Sequence, residues 1–173
     1  GERVRLRIIN GSAMTFFNVR IPGVPMTVIA ADGQDVTEVE VDEFQIGVAE
    51  TYDVIVSPPD GSHAIVAEAM DRSGMGVASL TSHKGHRASP PPLREPVTLT
   101  MADMGMRDHG DMAGMEGMDH SMRDTSKLPG DVKVGPGLDM VSPMPMDRMD
   151  FPGLGLDTVK HRVLRYTDLK AKR

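Results

Sequence analysis

Short stretches of alternating apolar and polar residues fill the first hundred positions, and turn sequences interrupt them every eight to twelve residues. In residues 3–10 (RVRLRIIN), three apolar side chains face one side and three Arg face the other, as in a half-buried strand. Asn-Gly, Pro-Gly and Asp-Gly pairs follow the first strands and favour turns. Because no helical period of useful length occurs there, the pattern predicts an antiparallel sandwich or Greek-key barrel.

The predicted strands are all short, and most of them end at Pro, Gly or Asp. They cover residues 3–10, 15–21, 26–31, 36–41, 44–48, 51–57, 63–70, 76–81 and 96–101. The Arg face of the first strand predicts a solvated sheet face, where an acid on a neighbouring strand pairs with Arg for little net stability. Residues 82–95 predict a polar, Pro-rich loop, residues 123–160 a linker, and residues 161–169 one last strand.

Methionine dominates residues 101–122 (MADMGMRDHGDMAGMEGMDHSM), together with two His and five acids. A thioether is a soft, neutral ligand that needs no deprotonation, and soft ligands favour Cu(I), which imidazole also suits. Zinc prefers Cys and His, and carboxylates alone would favour hard ions. The stretch therefore predicts a copper(I)-binding loop. Its candidate metal ligands are Met101, Met104, Met106, His109, Met112, Met115, Met118, His120 and Met122.

Three other interpretations of this stretch stay open. Methionines three and four residues apart are also typical of an apolar helix face, although the four Gly among them each cost a helix about 1 kcal/mol relative to Ala. An acidic loop without any ligand is the second interpretation. A Met-rich surface that binds other proteins is the third.

Composition excludes several classes of function. The chain has no Cys, which excludes disulfides, thiolate zinc sites, Fe–S ligation and a cysteine nucleophile. The net charge of −6 and the lack of a dense basic cluster argue against nucleic acid as a partner. No apolar run approaches the roughly 20 residues that span a bilayer. No signal peptide is recognisable, and both ends look cut from a longer protein.

Several segments together resemble the middle cupredoxin domain of bacterial multicopper oxidases, in particular the copper-resistance oxidases of the CopA type. These segments read GERVRLRIINGSAMTFFNVRIPGVPMTVIAADGQDV, VDEFQIGVAETYDVIV, AEAMDRSGM and PVTLTMADMGM, followed by the insert DHGDMAGMEGMDHSM. The resemblance implies an all-β, cupredoxin-like Greek-key β-sandwich over residues 1–101 that lacks its first strand. A Met/His-rich loop and linker over residues 102–160 would follow. Residues 161–173 would be a terminal strand or the start of a following domain.

The resemblance also implies a periplasmic copper-resistance protein that oxidises Cu(I) to Cu(II) and reduces O2, with copper as cofactor and flanking cupredoxin domains as partners. The family holds its catalytic coppers in His-x-His and His-Cys-His segments of its first and last domains. This chain has neither segment, so we assign no catalytic residue and expect no oxidase activity from it alone. A non-enzymatic periplasmic Cu(I) carrier is the alternative function. A copper-free domain that only packs two catalytic domains together is the third.

The histidines outside the Met-rich stretch carry separate expectations. His83 and His86 form an H-x-x-H pair whose spacing permits shared metal binding, but two imidazoles alone make a weak site, and solvated loop histidines are the alternative. His63 lies at the start of a strand and is expected to be structural or exposed. His161 lies between Lys160 and Arg162, which disfavours a cation there.

Overall fold

The computed structural model describes residues 2–100, 103, 136 and 148–172. The elements in this part of the chain are eight strands and a short 3-10 helix. The strands are β1 (Val4–Ile9), β2 (Phe17–Arg20), β3 (Met26–Ala31), β4 (Gln34–Val41), β5 (Glu43–Ile46), β6 (Thr51–Val56), β7 (Ser62–Ala69) and β8 (Met75–Thr81), and the helix is Tyr166–Asp168.

The eight strands form two four-stranded sheets. The first sheet has the order β1-β6-β3-β4 and the second has the order β5-β2-β7-β8. Every strand pair in both sheets is antiparallel. A single residue, Asp42, separates β4 from β5, so the chain passes from one sheet to the other at that point. The all-β prediction of two antiparallel sheets is confirmed.

The core lies between the two sheets and follows from the period-2 pattern of the strands. Met26 and Val28 of β3 are completely buried and Ala30 is buried, while the three residues that alternate with them are half-buried. Phe44 of β5 is also completely buried and packs against Tyr52 of β6, with ring centroids 4.9 Å apart. Burial of such a side chain stabilises the fold by roughly 1.5–3 kcal/mol. The contact between Phe44 and Tyr52 therefore joins the two sheets through the core.

The Arg face of β1 is paired as its alternation predicts. Asp53 of β6 accepts hydrogen bonds from Arg7 Nε (2.8 Å) and Arg7 Nη2 (2.9 Å), and also from Arg5. The hydrogen bonds from Arg7 and Arg5 hold the pKa of Asp53 well below its usual value, against the opposing effect of burial. Both Arg side chains stay more than half exposed, so these pairs add little to stability.

Two predicted strands are wrong. Residues 96–100 contain no strand, and the Pro at their start removes a donor that a sheet ladder would need. Residues 161–169 make a single parallel bridge, between Val163 and Glu43, before the 3-10 helix. A second bridge joins Ala171 to Val36 of β4. Since this segment passes from the edge of one sheet to the edge of the other, it cannot pair continuously with either.

Contacts between residues divide the chain into two units. The first unit contains Gly1–Val97 and Met149–Arg173, and it holds both sheets. The second unit is Thr98–Arg148, in which Asp103 accepts hydrogen bonds from the Thr100 backbone N–H (2.8 Å) and from Arg148. The boundaries predicted at residues 101 and 160 stay a prediction. Among the described residues, no helix is long and apolar enough to cross a bilayer.

Candidate functional site

The predicted copper(I) ligands lie outside the residues that the structure describes. This holds for all nine of them: Met101, Met104, Met106, His109, Met112, Met115, Met118, His120 and Met122. The copper(I) site therefore stays a prediction from the sequence. The functional groups that the structure does bring together are a buried ion cluster in the second sheet and a histidine pair beyond the end of β8.

Two glutamates with completely buried side chains form the centre of the ion cluster. Glu43 begins β5 and Glu68 lies near the end of β7, on either side of the central strand β2. Arg20, at the end of β2, donates to Glu43 Oε1 at 3.4 Å and to Glu68 Oε2 at 3.2 Å. The register of the sheet places Arg20 directly opposite Glu43. One guanidinium therefore bridges both buried carboxylates.

Arg94 supplies most of the remaining donors to these carboxylates. Its backbone N–H donates to Glu68 Oε1 at 2.9 Å, and its Nε donates to Glu68 Oε2 at 2.5 Å. Its two terminal nitrogens donate to Glu43 Oε2 at 3.1 Å and Oε1 at 2.6 Å. Charge-assisted bonds of this forked kind are the strongest that an Arg makes. Arg94 thereby attaches the Pro-rich loop after β8 to the second sheet.

Two further side chains complete the cluster. Arg72 Nη1 donates to Glu68 Oε2 at 2.9 Å, and its Nη2 donates to the Gly155 carbonyl at 3.4 Å. His161 Nε2 donates to Glu43 Oε2 at 2.6 Å. Gly155 itself has φ +68°, and a Cβ at this position would lie 2.5 Å from Val97 Cγ2. The cluster therefore also fixes residues 155–161 against the same sheet.

Both buried carboxylates are compensated by direct contact, since three Arg surround the two Glu. Burial raises the pKa of Glu68, but hydrogen bonds from Arg94 and the charges of Arg94 and Arg20 outweigh it, so the pKa is lower than usual. Burial lowers the pKa of Arg72, which nonetheless stays paired. Carboxylates whose oxygens already accept several Arg donors have no free lone pairs for a metal ion or a substrate proton. We therefore interpret the cluster as structural.

This cluster was not predicted from the sequence, although β7 contains a signal for it. Ala64 and Val66 point into the core, and Glu68 continues the same period-2 face. A glutamate on an otherwise apolar face indicates a buried carboxylate that needs cationic partners. Nothing in the sequence indicated which residues these partners are, because Arg94 lies 26 residues from Glu68 and His161 lies 118 residues from Glu43.

The described histidines have different surroundings. His161 Nε2 is bound to Glu43 Oε2, and the expectation that it holds no cation stays a prediction. His63 lies in β7, and its Nε2 donates to the Pro59 carbonyl at 3.0 Å. His83 and His86 lie next to each other with stacked rings, 5.2 Å apart between centroids. Within the described ranges, no group of three or more His, Asp or Glu is arranged to hold a metal ion.

Two antiparallel sheets packed face to face define a cupredoxin-like β-sandwich, and known proteins give the family. A model described as Multicopper oxidase matches residues 1–86. Copper resistance protein A of Escherichia coli is 40% identical over 214 aligned residues, which cover 99% of this chain and 35% of that protein. A copper resistance protein A homolog of Pseudomonas syringae is 42% identical over 197 residues, covering 99% and 33%. A laccase structure from Botrytis aclada covers 56% of this chain and 20% of its own, at 25% identity and a TM-score of 0.47.

The chain belongs to the multicopper oxidase family, as its sequence motifs predicted. Within that family it is similar to copper resistance protein A along nearly its whole length, and it spans about one third of the length of these relatives. Copper is the cofactor of this family. The described residues do not fit the catalytic coppers, because they contain no Cys and no His-x-His segment.

Proposed function

We propose that this chain is the middle part of a periplasmic copper-resistance multicopper oxidase, in which it serves as scaffold for a loop that gathers Cu(I). One observation carries the proposal. The similarity to copper resistance protein A extends over 99% of the chain, and the chain contains seven Met within residues 101–122. Thioethers are the protein ligands that best distinguish Cu(I) from hard cations.

In this proposal Cu(I) is the substrate of the longer protein. Flanking cupredoxin domains would hold the catalytic coppers, where four Cu(I) ions each lose one electron while one O2 and four protons become two water molecules. This chain would contribute no catalytic residue. Its part is to concentrate Cu(I) near those domains, and the five acids within residues 101–122 lower the cost of bringing in a cation.

The buried ion cluster supports the scaffold role. Arg94 lies shortly before residue 98 and His161 shortly after residue 148, and both bind Glu43. The two stretches of chain that lead into and out of residues 98–148 are therefore held by one buried carboxylate of the second sheet.

An anaerobic Cu(I) titration against a chromogenic chelator tests the proposal. We expect micromolar or tighter Cu(I) affinity and little Zn(II) affinity from the full chain, and loss of the Cu(I) affinity when residues 101–122 are deleted. Replacing Met112, Met115, Met118 and Met122 by Leu should remove most of the binding, because Leu keeps the apolar bulk and lacks the sulfur. Equal Cu(I) binding with and without residues 101–122 would overturn the loop as the site.

A non-enzymatic periplasmic Cu(I) carrier is the second candidate, and His-x-His and His-Cys-His segments in flanking domains of the longer protein would decide against it. Both candidates predict the same titration. They differ in O2 uptake by the full-length natural protein when Cu(I) is supplied. Uptake at one O2 per four Cu(I) oxidised supports the oxidase, and copper binding without uptake supports the carrier.

A further inference from the structure

The turn after β8 places two imidazoles side by side. The His86 backbone N–H donates to the His83 carbonyl at 3.1 Å, which closes a four-residue turn. Gly85, the third residue of that turn, has φ +84°, and a type II turn requires a positive φ at this position. Since the first and last residues of such a turn lie close together, the backbone brings the two imidazoles to the same place.

The two rings are nearly parallel, with centroids 5.2 Å apart and an interplanar angle of 24°. Two imidazole nitrogens that bind one ion lie at most about 4 Å apart, twice a metal–nitrogen bond of about 2.0–2.1 Å. Both side chains are exposed, so their side-chain bonds can rotate to bring one nitrogen of each ring toward this limit.

The hydrogen bonds around Ser82 determine which nitrogen of His83 carries a proton. Ser82 Oγ donates its only proton to the carboxylate of Asp60, which accepts and cannot donate. In the 2.9 Å hydrogen bond between these two residues, His83 Nδ1–H is therefore the donor and Ser82 Oγ is the acceptor. The neutral ring then has its lone pair on Nε2. Metal-binding histidines are held in this way, with the second ring nitrogen donating to an outer partner.

We propose that His83 and His86 form a two-imidazole site for a borderline divalent cation, and Cu(II) in particular. Imidazole suits Cu(II), and Cu(II) lies at the top of the affinity order of divalent first-row metals. The exposed cations Lys84 and Arg87 disfavour the ion, and the carboxylate of Asp60 offsets part of that repulsion. The site rests on the geometry of the turn. Only the choice of copper among divalent ions rests on the proposed function, where Cu(II) is the product.

A Cu(II) titration of the full chain, followed by electron paramagnetic resonance, tests the site. We expect a Cu(II) signal with nitrogen hyperfine splitting and a dissociation constant in the micromolar range. His83→Ala and His86→Ala should each weaken binding at least about tenfold. His63→Ala is the matched control, because His63 also lies in this region and its Nε2 is already bound to the Pro59 carbonyl. Binding that persists in both turn variants, or that vanishes only in a His109→Ala/His120→Ala variant, would overturn the proposal.

Two more variants separate the geometry from the ligands. Gly85→Val keeps both imidazoles, and nothing lies within 4 Å of a Cβ built there, so the change acts through the positive φ alone. We expect it to weaken Cu(II) binding while the two sheets stay folded, because the strain falls on an exposed turn after β8. Ser82→Ala removes the partner that fixes the proton of His83, and we expect a loss of about tenfold. Unchanged Cu(II) affinity in Gly85→Val would show that the turn is not what brings the two imidazoles together.

The result of the Cu(II) titration at His83 and His86 does not depend on whether residues 101–122 bind Cu(I). Neither His83→Ala nor His86→Ala should alter the anaerobic Cu(I) titration, because we expect the Cu(I) affinity to come from thioethers and not from these two imidazoles. If His83→Ala abolishes Cu(II) binding and the unmutated chain does not bind Cu(I), the histidine site is supported and the Cu(I) loop is refuted. If the chain binds Cu(I) and His83→Ala leaves Cu(II) binding unchanged, the loop is supported and the histidine site is refuted.

Discussion

At the scale of single residues, the two buried glutamates are the groups in the described structure that depend most on ion pairing. Both side chains of Glu43 and Glu68 are inaccessible to solvent, and each depends on cations from distant parts of the chain. Burying a carboxylate without partners is far more costly than a lost surface contact. The residues that bind them should therefore tolerate substitution poorly, even where they are partly exposed themselves.

We expect Arg94→Ala to lower the free energy of unfolding by about 3 kcal/mol, since it leaves two buried carboxylates short of donors. Urea unfolding measures this loss. Arg87→Ala is the matched control, an exposed Arg in the same loop whose removal should change stability by less than about 0.5 kcal/mol. Equal effects of the two substitutions would contradict the central place of Arg94 in the cluster.

The cluster also predicts how stability depends on pH. The pKa of Glu68 is lower in the folded chain than its usual value of 4.5, so its stabilising effect is present above that pH. It is lost as the pH falls through the folded pKa. We expect the free energy of unfolding to decrease steadily below about pH 4.5, and Glu68→Gln to flatten this decrease. The exposed Glu38→Gln should keep the wild-type slope.

At the scale of elements, the segment around residues 161–172 covers one open edge of each sheet. The backbone N–H groups of Asp42 and Thr37 donate to the carbonyls of Arg162 and Lys170, both at 2.8 Å. Leu164 N–H donates to the Glu43 carbonyl at 2.9 Å, and its side chain belongs to the core. An uncovered edge strand is a template for aggregation, so this segment protects β4 and β5.

We expect Leu164→Ala to reduce stability by about 2–5 kcal/mol, the usual range for a buried Leu truncated to Ala. Hydrogen exchange should show faster exchange at Asp42 and Thr37, whose amides depend on this segment. Tyr166→Ala is the control, because Tyr166 is 68% exposed in the same segment. Fast exchange at those two amides in the unmutated chain would show that the segment does not cover the edges in solution.

At the scale of the whole molecule, the core and the predicted copper(I) loop lie in different units. Among the described residues, the buried apolar side chains lie in the first unit, from Val19 to Ala69 and at Leu156, Val163 and Leu164. The stability of the sandwich therefore depends on apolar burial and on the ion cluster. Copper binding, as predicted, would depend on the sulfur atoms of residues 101–122.

We expect deletion of residues 101–122 to leave the midpoint of urea unfolding nearly unchanged, together with the slope of unfolding free energy against urea concentration. We expect the same of the four Met→Leu substitutions. The slope reports the surface exposed on unfolding, and we expect that surface to belong mainly to the sandwich. A large drop in the slope after deletion would show that the loop is part of the cooperative core, which is what the helix-face interpretation predicts.

The strands could be predicted from the sequence because they depend on local chemistry. Alternation places Val4, Leu6 and Ile8 on one face of β1 whatever the strand packs against, and Gly, Pro and Asp end strands through their own backbone preferences. The motifs that identify the family are local as well. The Arg pairing of β1 was predictable in kind, although Asp53 as the partner was not.

What only the tertiary structure decided is long-range pairing. Residues 96–100 form no strand, and residues 161–169 make a single bridge because that segment passes from the edge of one sheet to the edge of the other. Glu43, Glu68, Arg94 and His161 meet because the sheet order brings β5 and β7 to either side of β2. Likewise the sequence shows that His83 and His86 are three residues apart, while the turn at Gly85 and the bond from His83 to Ser82 decide how the rings face. Local preferences determine elements, whereas contacts between distant residues depend on which elements become neighbours.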